Sequence, residues 1–221
     1  MTAPDPEDLT ARARIRDAAM RQFGEHGFER ATIRGIADGA GVSSGLVRHH
    51  FGSKQGLREA CDAYLVKAIR TLNDEVRADA GHNYVAVASA VFGPYQRYMS
   101  RALAEGSAAE VFDAIAELSE QWLAEADKSR PDPPTVPVRA RATVGTAMAL
   151  AVSVLQEHIS RRLGVRVFSP AGDELLARVL LDLYSHSWLT PEEGAALQAR
   201  LDETGEVHGF LGPNGAGRSR S

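Results

Sequence analysis

The chain has 221 residues, 44% of them apolar, and a formal net charge of −4 at pH 7, which allows a sizeable core in one or two domains. A negative balance excludes wholesale coating of nucleic acid, and the lone Cys61 excludes an intrachain disulfide. The opening MTAPDPEDLT lacks a basic segment followed by an apolar core, and the longest apolar-rich stretch, Val144 to Leu155, is shorter than the ~20 residues that span a bilayer, so a cytoplasmic protein with no signal peptide and no membrane contact is expected.

The first predicted element is a helix from about Asp8 to Glu25. Ile15, Ala18, Ala19, Gln22 and Phe23 recur at helical spacing and form one inward stripe. Gly27 suits a left-handed helix end, with Phe28 folding back over it as an apolar cover. Arg12, Arg16 and Arg21 lie on the outer side and read as a solvated face, although one of them could reach a phosphate.

Phe28 to Leu57 has the spacing of a helix-turn-helix. Ile33, Ile36, Ala37, Ala40, Val42 and Val47 provide a small core, with Ala37 where two helices must cross closely. Gly41 can take the positive φ that reverses the chain within a few residues. Thr32 and Ser43 stand where each helix needs an N-cap. Two amphipathic helices in an ordinary all-α core would leave a polar face of no particular character. Here the second helix presents Ser44, Gly45, Arg48 and His49, with Lys54 just beyond, a set suited to phosphates and base edges. Gly45 would let the backbone come close to DNA. Residues 30–58 carry Arg30, Arg34, Arg48, Lys54 and Arg58 against Asp38 alone. The positive charge is therefore concentrated on the head of an otherwise acidic chain, the pattern of a site-specific binder.

From Ser53 onward the pattern is helical, with no alternating strand before residue 205. Ser53 can cap a helix to about Arg77, whose inner face is Leu57, Cys61, Tyr64, Leu65, Ala68 and Leu72; it joins head to body and is the expected mechanical link. Cys61 reads as a buried, inert thiol. Further helices are predicted at about 84–104, 107–128, 138–163, 172–188 and 191–203. Four prolines in 129–137 mark a loop. Arg161 and Arg162 before Gly164 read as a helix C-terminus, and Thr190-Pro191-Glu192-Glu193 as a capping box. Helix 138–163 is apolar nearly all round through Val144, Ala147, Met148, Leu150, Ala151, Val152, Val154, Leu155, Ile159 and Leu163, and is expected at the centre of the body. On it, His158 reads first as satisfied or solvent-facing, with ligand contact as the alternative. Helix 172–188 has a broad apolar face. Packed with 191–203 against the same pair of another chain, it would form a four-helix interface through Leu176, Val179, Leu180, Leu183, Trp188, Leu197 and Leu201; the alternative is that these helices only close their own domain. A two-fold assembly would place two heads in successive major grooves of an inverted-repeat operator.

Residues 205–221, GEVHGFLGPNGAGRSRS, resemble the phosphate-binding segment of an ABC-transporter ATPase, with Gly212 and Gly217 at P-loop spacing, Arg218 in place of the usual lysine and Ser219 at the magnesium-ligand position. No following helix and no sheet accompany it, so ATP hydrolysis is not expected; the Gly- and Ser-rich tail is expected to be disordered. Its origin, in this reading, is a fusion or frameshift with an adjacent transporter gene.

Gly27-Phe28, Thr32-Ile33, Ile36-Ala37, Ala40-Gly41-Val42-Ser43, Gly45, His50-Phe51 and Ser53-Lys54 with Leu57 together resemble the DNA-binding head of the tetracycline-repressor (TetR) family of bacterial regulators. The resemblance implies an all-α protein, with a three-helix head over 1–52, a helical ligand-binding and dimerising body over 53–204, and the tail beyond. It implies a homodimeric repressor of double-stranded operator DNA, released by a small organic effector, with no catalytic residues, metal or cofactor. By resemblance, Thr32, Ser43, His50 and Lys54 contact phosphates or stabilise the head, and Ser44, Gly45, Leu46 and His49 lie at or near the bases; Arg34 joins the candidate set for its charge. Arg48 stands where the family usually has a tyrosine, which would steepen salt dependence. Phe92, Tyr95, Tyr98, Met99, Phe112, Trp122 and Met148 read as core on spacing alone. With the resemblance, Phe92, Tyr95, Met99, Phe112, Trp122, Met148, Leu155 and His158 become the candidate pocket lining. The alternative function is a ligand-binding or nucleotide-binding protein whose head does not read DNA.

Overall fold

Helix α1 (Pro6–His26) ends where Gly27 turns left-handed at φ 79°, its N–H still bonding the Phe23 carbonyl at 2.9 Å. Ile15, Ala18, Ala19 and Phe23 of this helix are all buried. They pack on α2 (Ile33–Ala40) and α3 (Ser44–Phe51) through Ile36, Ala37, Ala40 and Val47, and on α4 (Lys54–Ala78) through Leu57 and Cys61. Each fully buried Ile, Leu or Phe here contributes roughly 1.5–3 kcal/mol. The computed structural model describes residues 6–78, 89, 92–131, 134–186 and 188–203. The described residues contain α-helices and one short 3₁₀ turn but no strand. The P-loop-like tail lies outside them, as does most of the predicted 84–91 segment.

Beyond α4 come the 3₁₀ turn Gly93–Tyr95, α5 (Gln96–Ala104), α6 (Ala109–Asp127), α7 (Val138–Val154), α8 (Gln156–Leu163), α9 (Pro170–Ser185) and α10 (Pro191–Glu203). The chain divides into two compact units, Met1–Ala177 and Arg178–Ser221. The first holds the head, the body helices α4–α8 and the start of α9. In the second, α10 opens on the expected capping box: the Thr190 N–H donates to Glu193 Oε2 at 2.9 Å and the Glu193 N–H to Thr190 Oγ1 at 3.2 Å.

Three expectations are corrected. The helix predicted over 84–104 is interrupted at Gly93-Pro94 by a 3₁₀ turn, since proline supplies no N–H to the ladder. The helix predicted over 138–163 breaks at Leu155 into α7 and α8, bent by 69°. There the Ser100 hydroxyl donates to the Ser153 carbonyl at 2.9 Å, occupying an acceptor that a continuous helix would use internally. Finally, α7 is not central. Only Ala142 and Thr146 are buried along it, whereas Val144 and Met148 are 60% and 69% exposed. The helix seats its small side against α6, where Thr146 Oγ1 bonds Ser119 Oγ at 3.0 Å and Arg141 pairs with Asp127, and leaves Val144, Met148 and Val154 outward. No single described helix is long and apolar enough to cross a membrane.

Candidate nucleic-acid interface and internal cavity

The α2–turn–α3 unit is built from local signals. Thr32 Oγ1 accepts the Gly35 N–H at 3.0 Å, and Ser43 Oγ accepts the Leu46 N–H at 3.1 Å, so both hydroxyls serve as helix caps. Between them Gly41 adopts φ 67°, and the Val42 N–H returns to the Ala37 carbonyl at 3.0 Å, closing the end of α2. With Val47 inside, α3 turns Gly45, Arg48 and His49 to solvent, and Ser44, Leu46 and His50 are half-buried. Arg34 is exposed on α2. At Gly45 an added Cβ would meet nothing closer than Ser43 Oγ at 3.7 Å. Packing within the chain therefore does not require glycine there.

Lys54 occupies a different place. Its Nζ donates to the carbonyls of Phe28, Glu29 and Ala31 at 2.8, 3.2 and 3.2 Å and sits 4.5 Å from the centre of the Phe28 ring. All three ammonium donors face the loop between α1 and α2, so this residue clamps the start of α4 to the far side of the head.

A cavity of about 640 Å³, open to solvent on one side, lies in the first unit between α4, the segment from Phe92 through α5, α6, α7 and Phe168. Its wall is overwhelmingly apolar, the usual form of a small-molecule site. Of the eight residues expected to line a pocket, the structure brings Phe92, Met99 and Trp122 together there. Tyr95 instead donates its hydroxyl to Asp17 of α1 at 3.1 Å. Phe112 is half-buried elsewhere on α6, and Met148, Leu155 and His158 are exposed. Sequence reasoning missed, among others, Leu72, Gln96, Ile115, Leu118, Leu150 and Phe168 of the wall. The helical spacing of Ile115, Leu118 and Trp122 was a usable signal; Phe168, in a connection, gave none. Trp122 is fixed by its Nε1, which donates to Asn73 Oδ1 at 2.8 Å, and by Arg77 stacked 4.6 Å from its ring. Phe168 holds φ 63°, a conformation that costs a bulky L-residue about 1–3 kcal/mol.

Three contacts join the segment that walls the cavity to α1 of the head and to α4: Tyr95 to Asp17, the Tyr98 hydroxyl to Asp62 Oδ1 at 2.5 Å, and Arg101 Nε to the Gly24 carbonyl at 3.0 Å. Burial raises the Asp62 carboxyl above its ordinary pKa, with the Tyr98 hydrogen bond pulling the other way. Burial likewise raises the Tyr98 phenol and the Cys61 thiol, keeping both neutral. No group of three or more potential metal ligands occurs among the described residues.

A capped two-helix unit with an outward Arg- and His-bearing helix, carried on an all-helical body with an apolar cavity, is the construction of a helix-turn-helix transcriptional regulator. The family model for bacterial regulatory proteins of the tetR family matches residues 15–61. The chain is 33% identical over 213 residues to the HTH-type transcriptional regulatory protein RaaS of Mycobacterium tuberculosis, covering 91% of this chain and 97% of that protein. It is 43% identical over 74 residues to the regulator BetI of Agrobacterium fabrum, covering 34% and 32% of the two chains. Among solved structures, CprB of Streptomyces coelicolor, determined with its operator sequence, superposes with a TM-score of 0.56 at 21% identity over 90% of this chain and 99% of that one. A γ-butyrolactone receptor superposes with a TM-score of 0.56 at 19% identity over 83% and 100%. The chain belongs to the TetR family of bacterial transcriptional regulators.

Proposed function

We propose that this regulator is a homodimeric repressor that binds an inverted-repeat operator and leaves it when a small organic molecule fills the apolar cavity. The observation that carries this reading is the double role of one short segment. Phe92, Gln96 and Met99 line the cavity, and Tyr95, Tyr98 and Arg101 of the same stretch bond α1 and α4. A ligand that displaces this segment must shift the head. It releases DNA only if it binds the DNA-incompetent arrangement more tightly.

At the operator, Arg34 and Arg48 neutralise phosphates, and Ser44, Gly45, Leu46 and His49 approach base edges, with His50 at the rim. Thr32 and Ser43 cap their helices, and Lys54 holds the head's shape. The dimer joins through the apolar residues of α9 and α10, including Leu176, Val179, Leu180, Leu183, Trp188, Leu197 and Leu201. Selection of bound fragments from the organism's own DNA tests the reading. An enriched inverted repeat whose affinity for the protein falls with a cavity ligand is expected; a monomer with no preferred sequence at modest salt overturns it. The P-loop-like tail supports an ABC exporter as the regulated gene. Sequencing the flanking DNA tests that extension, which fails if no transporter frame lies nearby.

A further inference from the structure

Resting on the reading of the apolar cavity as the effector site, we infer that it continues past Phe168 into a second, charged compartment, and that the two together take one elongated amphipathic molecule with an anionic end. The second cavity, about 650 Å³, lies between α1, the start of α5, α8 and the connection after α8. It shares Gly93, Gln96 and Phe168 with the apolar cavity, so these three form a common partition. Two features of the partition are unusual. Phe168 is held at φ 63°, and the Nε2 of Gln96 is buried with no hydrogen-bond partner among the described residues. Buried amides normally have partners, and a ligand oxygen passing the partition would supply one.

The character of the second compartment gives the chemistry of the far end. Arg21, Arg97 and Arg166 face Glu25 and Glu157 there. None of the three guanidinium groups has an ion pair among the described residues, and they outnumber the two carboxylates. The unmatched charge is positive, and planar guanidinium forks bind carboxylates in paired hydrogen bonds. An anion in this compartment touches α1 itself through Arg21. Such an effector would therefore act on the head directly as well as through α5.

The test uses the full chain carrying Trp188→Phe, which leaves Trp122 in the apolar wall as its single tryptophan. Dodecanoate and 1-dodecanol, equal in chain length, are titrated below their aggregation limits while Trp122 emission is followed. Dodecanoate is expected to bind about tenfold more tightly, the worth of one charged hydrogen bond. Adding Arg97→Ala and Arg166→Ala, both on exposed side chains, should abolish that preference and leave dodecanol binding unchanged. Equal binding of acid and alcohol, or a preference that survives the double substitution, overturns the charged compartment and leaves the effector cavity standing. Emission that neither probe moves removes the cavity reading and this inference together.

Discussion

The Tyr98 hydroxyl donates to the Asp62 carboxylate across 2.5 Å in the buried seam between α5 and α4. It joins the helix that walls the cavity to the helix that leaves the head. The phenol stays neutral because burial raises its pKa, so it remains a donor throughout the physiological range.

This pair makes stability depend on pH in a definite direction. Burial raises the folded pKa of Asp62, so its contribution is fully present below the unfolded value of about 3.9 and is lost as pH rises through the folded value. Asp62→Asn keeps an acceptor for Tyr98 and removes the titration. Denaturant unfolding from pH 4 to 7 should show a flatter decline in this variant than in the parent. Asp62→Ala leaves a buried hydroxyl without its acceptor and should cost about 1–3 kcal/mol at pH 7. An Asn variant with the parent's pH slope would remove Asp62 as the titrating group.

Two cations of the head should separate by readout. Lys54→Ala removes three charged hydrogen bonds to the loop carbonyls, and a loss of roughly 1.5–3 kcal/mol in unfolding free energy is expected. Arg48→Ala touches an exposed side chain and should leave stability within about 0.5 kcal/mol. It should instead reduce the salt slope of operator binding by about 1.8 for the dimer, about 0.9 for the phosphate under each head. If Arg48→Ala left the salt dependence intact, that arginine would not be a phosphate contact.

Glycines 24 and 45 offer opposite signs for the same change. Alanine is favoured over glycine inside a helix by about 1 kcal/mol. At Gly24 the new Cβ would lie 2.8 Å from the Tyr98 nitrogen, so α1 and α5 must separate and the packing penalty of about 1–3 kcal/mol should win. At Gly45 the fold offers no obstacle, so Gly45→Ala should be neutral or stabilising in thermal unfolding while weakening operator binding. Operator affinity unchanged in Gly45→Ala would show that the backbone there does not approach DNA closely.

Legibility in the sequence followed the range of the interaction. Thr32, Gly41 and Ser43 act on residues three to five positions away, and the capped turn was readable from them. The Lys54 clamp reaches back 23 to 26 residues, so sequence spacing could not separate a structural cation from a phosphate contact. Periodicity placed Phe92, Met99 and Trp122 on apolar faces, but which faces converge on one cavity depends on how four helices cross. The break at Leu155 was hidden for a similar reason, since the Ser100 hydroxyl at the Ser153 carbonyl comes from 53 residues away. Apolar residues all round α7 implied burial; Val144 and Met148 are instead exposed in the single chain.

That exposure bears on assembly. Along the end of α9, Leu181 and Tyr184 are 71% and 77% exposed, three residues apart on one face, and Trp188 just past the helix is 87% exposed. A surface of this composition left in water favours association, because each large apolar side chain that becomes covered contributes roughly 1.5–3 kcal/mol. In the single chain that surface supports nothing, so Leu181→Arg with Tyr184→Arg should preserve helix content and shift light-scattering mass from dimer to monomer. A monomer presents one head, and its operator affinity should fall sharply while each half-site is still recognised. A variant that stays dimeric would leave the neighbouring face of α9, with Leu176, Val179, Leu180 and Leu183, as the interface and the next to substitute.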